Sequence, residues 1–258
     1  MAQVRSYKHG TFCWSDLGTP DLEGAKVFYS ELFNWKIEEV PTGEAGTYCL
    51  MKIDDTEVAG IYQKPAEDPS PAAWLCYVNV SGLEDAVGTA AEAGAAVLQE
   101  PIDAMEAGRM AVLQDPSGAV VGLWEARRHI GAGRVNEPGA PCWFELATRD
   151  TAAASDFYRA LCGWESKSAP MGPTVYTSFM RGEAPAGGMM AMDDSWGEIP
   201  PHWMVYFQVA DCDGTAARVE SLGGHLHVPP KDIPGVGRFA VVADPFGAVF
   251  SILQMNAR

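Results

Sequence analysis

The chain has 258 residues, 47% of them apolar, which suffices for one large domain or two of roughly 100–150 residues, each with its own core. Its 18 basic residues stand against 34 acidic ones, a formal charge of −16 that repels phosphate backbones and argues against nucleic acid as a partner. The same surface tolerates or attracts a cationic small molecule, or simply keeps the protein soluble. Cys13, Cys49, Cys76, Cys142, Cys162 and Cys212 form no CxxC pair and lie mostly in apolar runs, the pattern of free thiols in a reducing compartment. The N-terminal stretch MAQVRSYKHGTFCW lacks a secretory apolar segment, and no apolar run approaches a membrane span. A soluble, cytoplasmic protein is expected.

In chain order, GTFCWSDLGT (10–19) reads as a strand, and Asp21 to Phe33 follows helical spacing, with Leu22, Ala25, Phe28, Tyr29, Leu32 and Phe33 as its apolar stripe. Strands TYCLMKI and EVAGIYQ follow, and the proline-rich KPAEDPSPAA then breaks the pattern as a linker would. Strand WLCYVNV, helix LEDAVGTAAEAG and further strands repeat the order. They end in a hairpin around Asp115-Pro116-Ser117-Gly118, a type I turn signature. The stretch Ala126 to Pro141 joins this half to the next, giving expected domains at 1–130 and 137–258.

The second half repeats the first. GRMAVLQDPSGAVVGLW (Gly108 to Trp124) and GRFAVVADPFGAVFSIL (Gly237 to Leu253) stand 129 positions apart and share nine of 17 residues. The same offset relates Cys13-Trp14 to Cys142-Trp143, TPDLEGAKVFYSELFNW to TRDTAAASDFYRALCGW, and Trp74, Tyr77 and Val80 to Trp203, Tyr206 and Val209. One offset across four separated segments marks a tandem duplication. Each half divides again into two βαβββ units, so the predicted class is α+β, with four such units in two tandem domains.

Four βαβββ units with DPSG and DPFG hairpins and FY…L…W helix endings resemble the vicinal oxygen chelate superfamily of glyoxalase I, bleomycin resistance proteins and extradiol dioxygenases. GLWEARRHIGAGRVNE and DIPGVGRFAVVADPFGA are similar to a two-domain actinobacterial group. That group is often labelled hydroxylase and includes a mycobacterial culture-filtrate antigen. The resemblance implies two cups, each lined by the concave face of a curved eight-stranded sheet. It also implies a divalent metal held by four inward side chains, typically His, Gln or Glu. Carried over, those positions fall on Trp14, Leu75 (or Trp74 with a one-residue slip), Gly122 and the stretch Ala59–Tyr62. In the second half they fall on Trp143, Met204, Ser251 and Gly187–Met190. None is a first-class ligand for such an ion, so no metal and no other cofactor is expected.

Strand alternation suggests what stands there instead. Trp14 inward brings Asp16 inward, and Trp143 brings Glu145. Cys13 and Leu17, like Phe144 and Leu146, are left for packing. In HWMVYFQV the apolar face packs on a helix, leaving His202, Met204, Tyr206 and Gln208 toward the cup; Ala73, Leu75, Tyr77 and Asn79 are the first-half equivalents. Arg109 and Arg238, at matching places, are candidates to hold an anionic ligand group or a developing oxyanion. In the alternative, they are salt-bridged to Asp16 and Glu145. His202 could instead sit solvated at the rim, and His225 and His227 alternate on a strand without an acidic third ligand nearby.

Two functions are compatible with these residues. One is a metal-independent enzyme in which Glu145 or His202 moves a proton on a small organic substrate, by isomerisation, elimination or hydration. The other is sequestration of a planar or cationic metabolite between aromatic walls, as bleomycin resistance proteins do. The halves diverge at Ala73 against His202 and Gly122 against Ser251, which favours chemistry in the C-terminal cup alone. With its duplicate already tethered on the same chain, the molecule is expected to be a monomeric pseudo-dimer that binds a small molecule and neither nucleic acid nor membrane.

Overall fold

The computed structural model describes residues 3–43, 46–171 and 174–256. The first half runs β1 (Thr11–Thr19), α1 (Leu22–Phe33), β2 (Lys36–Pro41), β3 (Thr47–Ile53), β4 (Thr56–Gln63), then β5 (Ala73–Asn79), α2 (Leu83–Glu92), β6 (Ala96–Ala104), β7 (Gly108–Gln114) and β8 (Val120–Ala126). The second repeats it as β9 (Pro141–Thr148), α3 (Thr151–Cys162), β10 (Glu165–Met171), β11 (Thr174–Arg181), β12 (Ala184–Ala191), β13 (His202–Gln208), α4 (Cys212–Ser221), β14 (His225–Ile233), β15 (Gly237–Ala243) and β16 (Val249–Met255). Both sheets are mixed and eight-stranded, in the orders β2-β3-β4-β1-β5-β8-β7-β6 and β10-β11-β12-β9-β13-β16-β15-β14. The first strand of each unit lies parallel to its last and antiparallel to the first strand of the sister unit. The four βαβββ units of the sequence are all present.

Helix α1 begins where Asp21 accepts a hydrogen bond from the Gly24 N–H and ends where Asn34 turns left-handed. Its buried face, Ala25, Phe28 and Tyr29, belongs to one continuous core that also holds Phe157, Tyr158, Trp164, Phe207 and Phe250 of the second half. The two sheets thus share their helix-covered faces, and the cups open away from each other.

The repeated phrases sit in this shared core and explain each other. Tyr29 donates to Asp244 of the second DPxG hairpin (3.0 Å) and accepts from the Trp74 indole (3.1 Å). Tyr158 donates to Asp115 of the first hairpin (2.8 Å) and accepts from Trp203 (2.6 Å). Each Asp uses its other oxygen to hold its own turn through backbone N–H groups of the hairpin. The FY helix of one half therefore clasps the DPxG turn of the other, twice over. Buried polar groups paired this way cost little, and breaking one pair leaves its partners unsatisfied.

A register shift at Cys13 in β1, and at Cys142 in β9, puts an extra residue into each first strand. Cys13 consequently packs on the cup side, with Trp14 and Tyr77, rather than on the packing face expected from simple alternation. Leu17, Phe144 and Leu146 do pack on the core side.

Candidate active site in the C-terminal cup

Each cup contains the same four-membered constellation. In the C-terminal cup Glu145 on β9 accepts from the Tyr206 hydroxyl on β13 (2.7 Å) and the Tyr176 hydroxyl on β11 (2.8 Å), and Trp143 donates its indole N–H to Tyr176 (2.9 Å). In the N-terminal cup Asp16 accepts from Tyr48 on β3 (3.0 Å) and Tyr77 on β5 (3.3 Å), and Trp14 donates to Tyr48 (2.8 Å). Strand register produces this. Glu145 lies between Met204 of β13 and Gly188 of β12, and Trp143 lies beside Tyr206. The glycine matters: a Cβ at Gly188 would run into the Tyr176 hydroxyl, and one at Gly60 into that of Tyr48.

Desolvation pushes both carboxylates upward, against the lowering effect of the two phenols. Asp16 rises to about 7, and Glu145 rises in the same direction. The phenols are raised in turn by burial and by the adjacent carboxylate.

The cups differ in access. Residues 129–135, read from sequence as part of a linker, form a strap across the N-terminal cup. Ala132 N–H donates to the Cys13 carbonyl (2.7 Å) and Gly133 N–H to that of Glu57 (2.8 Å). Gly131, at φ +106°, lies so close to the Cys13 carbonyl that no Cβ fits. His129 pairs with Glu57 (2.7 Å), and its ring lies 4.4 Å edge-on to Trp14. The N-terminal segment packs against the strap: Tyr7 donates to the Ala132 carbonyl (2.6 Å), and Asn79 donates to the Tyr7 carbonyl (3.1 Å). Trp14 is 4% and Asp16 6% exposed, and Asp16 Oδ1 has no partner. Trp143, Glu145, Tyr176 and Met204 are all partly exposed. Tyr48 and Leu75 of the N-terminal cup keep partial exposure, as their counterparts Tyr176 and Met204 do, but of the two clamp carboxylates Glu145 is partly exposed and Asp16 is buried.

The other sequence candidates fall as follows. Met204, Tyr206, Gln208 and Ser251 share the concave face with Glu145; Ser251 donates to the Met204 sulfur (2.8 Å). His202 lies on that face one ladder step beyond Met204, at the start of β13. Its Nδ1 is 2.9 Å from the Pro200 carbonyl, and it makes no contact with Glu145. Asn79 is spent on holding the N-terminal segment. Arg109 and Arg238 require correction. They share a strand face with core residues Ala111 and Leu113, or Ala240 and Val242, so they point away from the cups. Arg109 pairs with Glu84 of α2, and Arg238 with Asp213 of α4 (2.6 Å) and Asp232 (3.0 Å). Neither touches Asp16 or Glu145, which also removes the salt-bridge alternative. Trp74 faces the core beside Tyr29, so the concave position on β5 is Leu75.

Sequence reasoning missed Tyr48, Tyr176, the strap and, on the far wall of the open cup, Phe239 and Lys231. The signal for the tyrosines was available: Cys49 and Met51, or Thr177 and Phe179, are buried on the opposite face, and a facing glycine leaves room for each ring.

Residues 11–123 and 142–252 each match the family model described as the Glyoxalase/Bleomycin resistance protein/Dioxygenase superfamily. The chain belongs to this superfamily. It is 40% identical over 258 residues to "Putative glyoxylase CFP32" of Mycobacterium tuberculosis, covering 98% of each chain. It is 32% identical over 260 residues to "Anthracycline biosynthesis protein DnrV" of Streptomyces peucetius, covering 96% of this chain and 94% of the relative. Its fold is similar to that of the Mn(II)-bound glyoxalase from Novosphingobium aromaticivorans, with a TM-score of 0.66 at 15% identity over 96% of this chain and 82% of that one.

The donor set of this superfamily member does not fit a divalent ion at the inferred positions. The concave residues there are Trp14, Leu75, Gly60 and Gly122 in one cup and Trp143, Met204, Gly188 and Ser251 in the other. Tyrosines overlie the glycines so closely that a side chain at Gly60, Gly122 or Gly188 would collide with a phenol. The clamp carboxylate of each cup faces phenol donors, Glu145 through both oxygens and Asp16 through Oδ2 alone, and among the described residues no three His, Cys, Asp or Glu gather as a metal would require.

Proposed function

We propose that this protein binds a small organic molecule in its C-terminal cup and that Glu145 moves a proton on it, without a divalent metal. The observation that carries this reading is the Glu145 clamp itself: a desolvated carboxylate of raised pKa, held by two phenols, and partly exposed where its counterpart Asp16 is buried. The names of the two relatives favour an enzyme acting on a small metabolite over a structural protein.

In this reading Glu145 accepts a proton from a carbon or oxygen acid of the substrate and becomes a neutral carboxylic acid. Burial favours that neutral form. Tyr176 and Tyr206 hold the carboxylate in place, and on its protonation their hydroxyls are released to donate to an oxygen that has gained charge. Returning the proton to a different substrate atom completes an isomerisation; delivering it to a leaving group completes an elimination. His202, with Nδ1 turned to the Pro200 carbonyl, keeps Nε2 for a second proton roughly 7 Å along the strand, where a substrate longer than a single functional group would reach it.

The test is kinetic. Glu145→Gln keeps shape and hydrogen bonding but cannot take a proton, and turnover should fall roughly 10²–10⁴-fold with affinity largely kept. Dialysis against a chelator should leave wild-type turnover unchanged. A second reading, binding without chemistry, is favoured by one fact: the strapped N-terminal cup carries the same clamp around a carboxylate that is buried. In that case Glu145→Gln changes affinity modestly, and Trp143→Ala is the damaging substitution, by roughly 1–3 kcal/mol.

A further inference from the structure

The wall of the C-terminal cup opposite Tyr176 is formed by β14 and β15, and it differs in kind from its N-terminal counterpart. Phe239 on β15 shares the concave face with Val241, opposite the core face of Ala240 and Val242, and stacks on Tyr206 at 6.5 Å and 29°. Lys231 on β14 pairs in register with Phe239, and its ammonium lies 5.3 Å from the ring centroid. The equivalents in the N-terminal half are Met110 and Ile102. In a chain with 34 acidic residues most basic side chains are taken up by ion pairs, yet among the described residues no carboxylate lies within salt-bridge distance of Lys231. Asp232, its neighbour, turns to Arg238 on the opposite face.

An aromatic wall whose partly exposed members are Trp143 and Phe239, with the buried Tyr206 between them, ending in an unpaired cation, is a complementary surface for one class of molecule. We propose that the C-terminal cup takes an aromatic or conjugated carboxylate, its ring system on Phe239 and reaching toward Trp143, and its anionic group at Lys231. This rests on the reading that the C-terminal cup is the working site. It runs against the net charge of the protein, whose −16 alone would favour cationic ligands. The geometry also orients the ligand. With the carboxylate at the β14 wall, the far end of the conjugated system points toward Glu145, whose like charge would disfavour the reverse placement.

Methyl NMR of the methionines tests both levels, because the Met204 methyl lies beside Glu145 in the C-terminal cup. Naphthoate and naphthylmethanol, which share a ring system and differ in charge, are titrated separately into the full chain at low salt. Naphthoate should shift the Met204 resonance and bind about three- to fivefold more tightly than the alcohol, the range expected for one partly exposed charge pair. The preference should shrink with added salt. Lys231→Met should abolish it, whereas Lys36→Met, which changes the net charge equally, should preserve it. Equal binding of the two probes, or a preference that survives Lys231→Met, would overturn this inference alone. A preference lost in Lys167→Met, on the opposite wall, instead of Lys231→Met would overturn the placement of the anionic group and the inference with it. If neither probe moves the Met204 methyl, the inference fails together with the reading of the cup as a small-molecule site.

Discussion

At the scale of single residues, two carboxylates with the same tyrosine clamp have different surroundings, and their titration should report it. Asp16 is buried under the strap with one oxygen unpartnered, and its folded pKa is raised from 3.8 to about 7. A carboxyl whose folded pKa lies above its unfolded value favours the fold while protonated. Its contribution is full below about pH 4 and is lost as pH rises to about 7. Asp16→Asn should therefore raise the melting temperature at pH 8 relative to wild type, by an amount worth on the order of a few kcal/mol. The gain should vanish near pH 4; a difference that is flat with pH in thermal melts would contradict the assignment. Glu145 is shifted in the same direction, so the acid limb of the turnover profile should lie above the ordinary carboxylate range and disappear in Glu145→Gln. Alternation located both carboxylates, Tyr77 and Tyr206 in the sequence. The same rule, applied to Arg109 and Arg238 alongside their apolar neighbours two residues on, would have turned them toward the helices. The second tyrosine of each clamp was signalled only by the buried residues on the opposite face of its strand and by a facing glycine, whose role is the room it leaves.

At the scale of elements, the strap decides which clamp carboxylate is buried, and its sequence conceals this. The composition of ARRHIGAGRVNEPGAP, rich in glycine, proline and charge, is that of a linker, and its order comes from backbone hydrogen bonds to Cys13 and Glu57 that leave no sequence pattern. Gly131→Ala forces a Cβ against the Cys13 carbonyl at a positive φ, and should destabilise the protein by roughly 1–3 kcal/mol. Hydrogen exchange should localise the loss, with the amides of Ala132 and Gly133 exchanging faster while those of β13 are unchanged. Uniform acceleration throughout would mean that the strap is not a separate element. Helices α1 and α2 and strands β1, β3, β4 and β5, by contrast, were legible to within about two residues from their apolar spacing, whereas the polar, exposed β2 and β6 left no bounds to read.

At the scale of the whole molecule, the duplication was plain in the sequence, and the structure supplies its reason: each DPxG turn is anchored by the FY helix of the other half. Tyr158→Phe removes two buried bonds, one to the Asp115 carboxylate and one from the Trp203 indole, and should cost about 1.5–3 kcal/mol or more, lowering the single unfolding transition rather than splitting it in two. With this clasp closed within one chain, light scattering should report the 27.7 kDa of a monomer. The central claim is that one cup works and that the strap buries the carboxylate of its twin. The most direct measurement takes a metabolite found by thermal-shift screening and compares its binding and conversion by wild type, Glu145→Gln and Asp16→Asn. The account predicts that Glu145→Gln abolishes conversion while Asp16→Asn leaves binding and conversion nearly unchanged; function crippled by Asp16→Asn and retained in Glu145→Gln would contradict it.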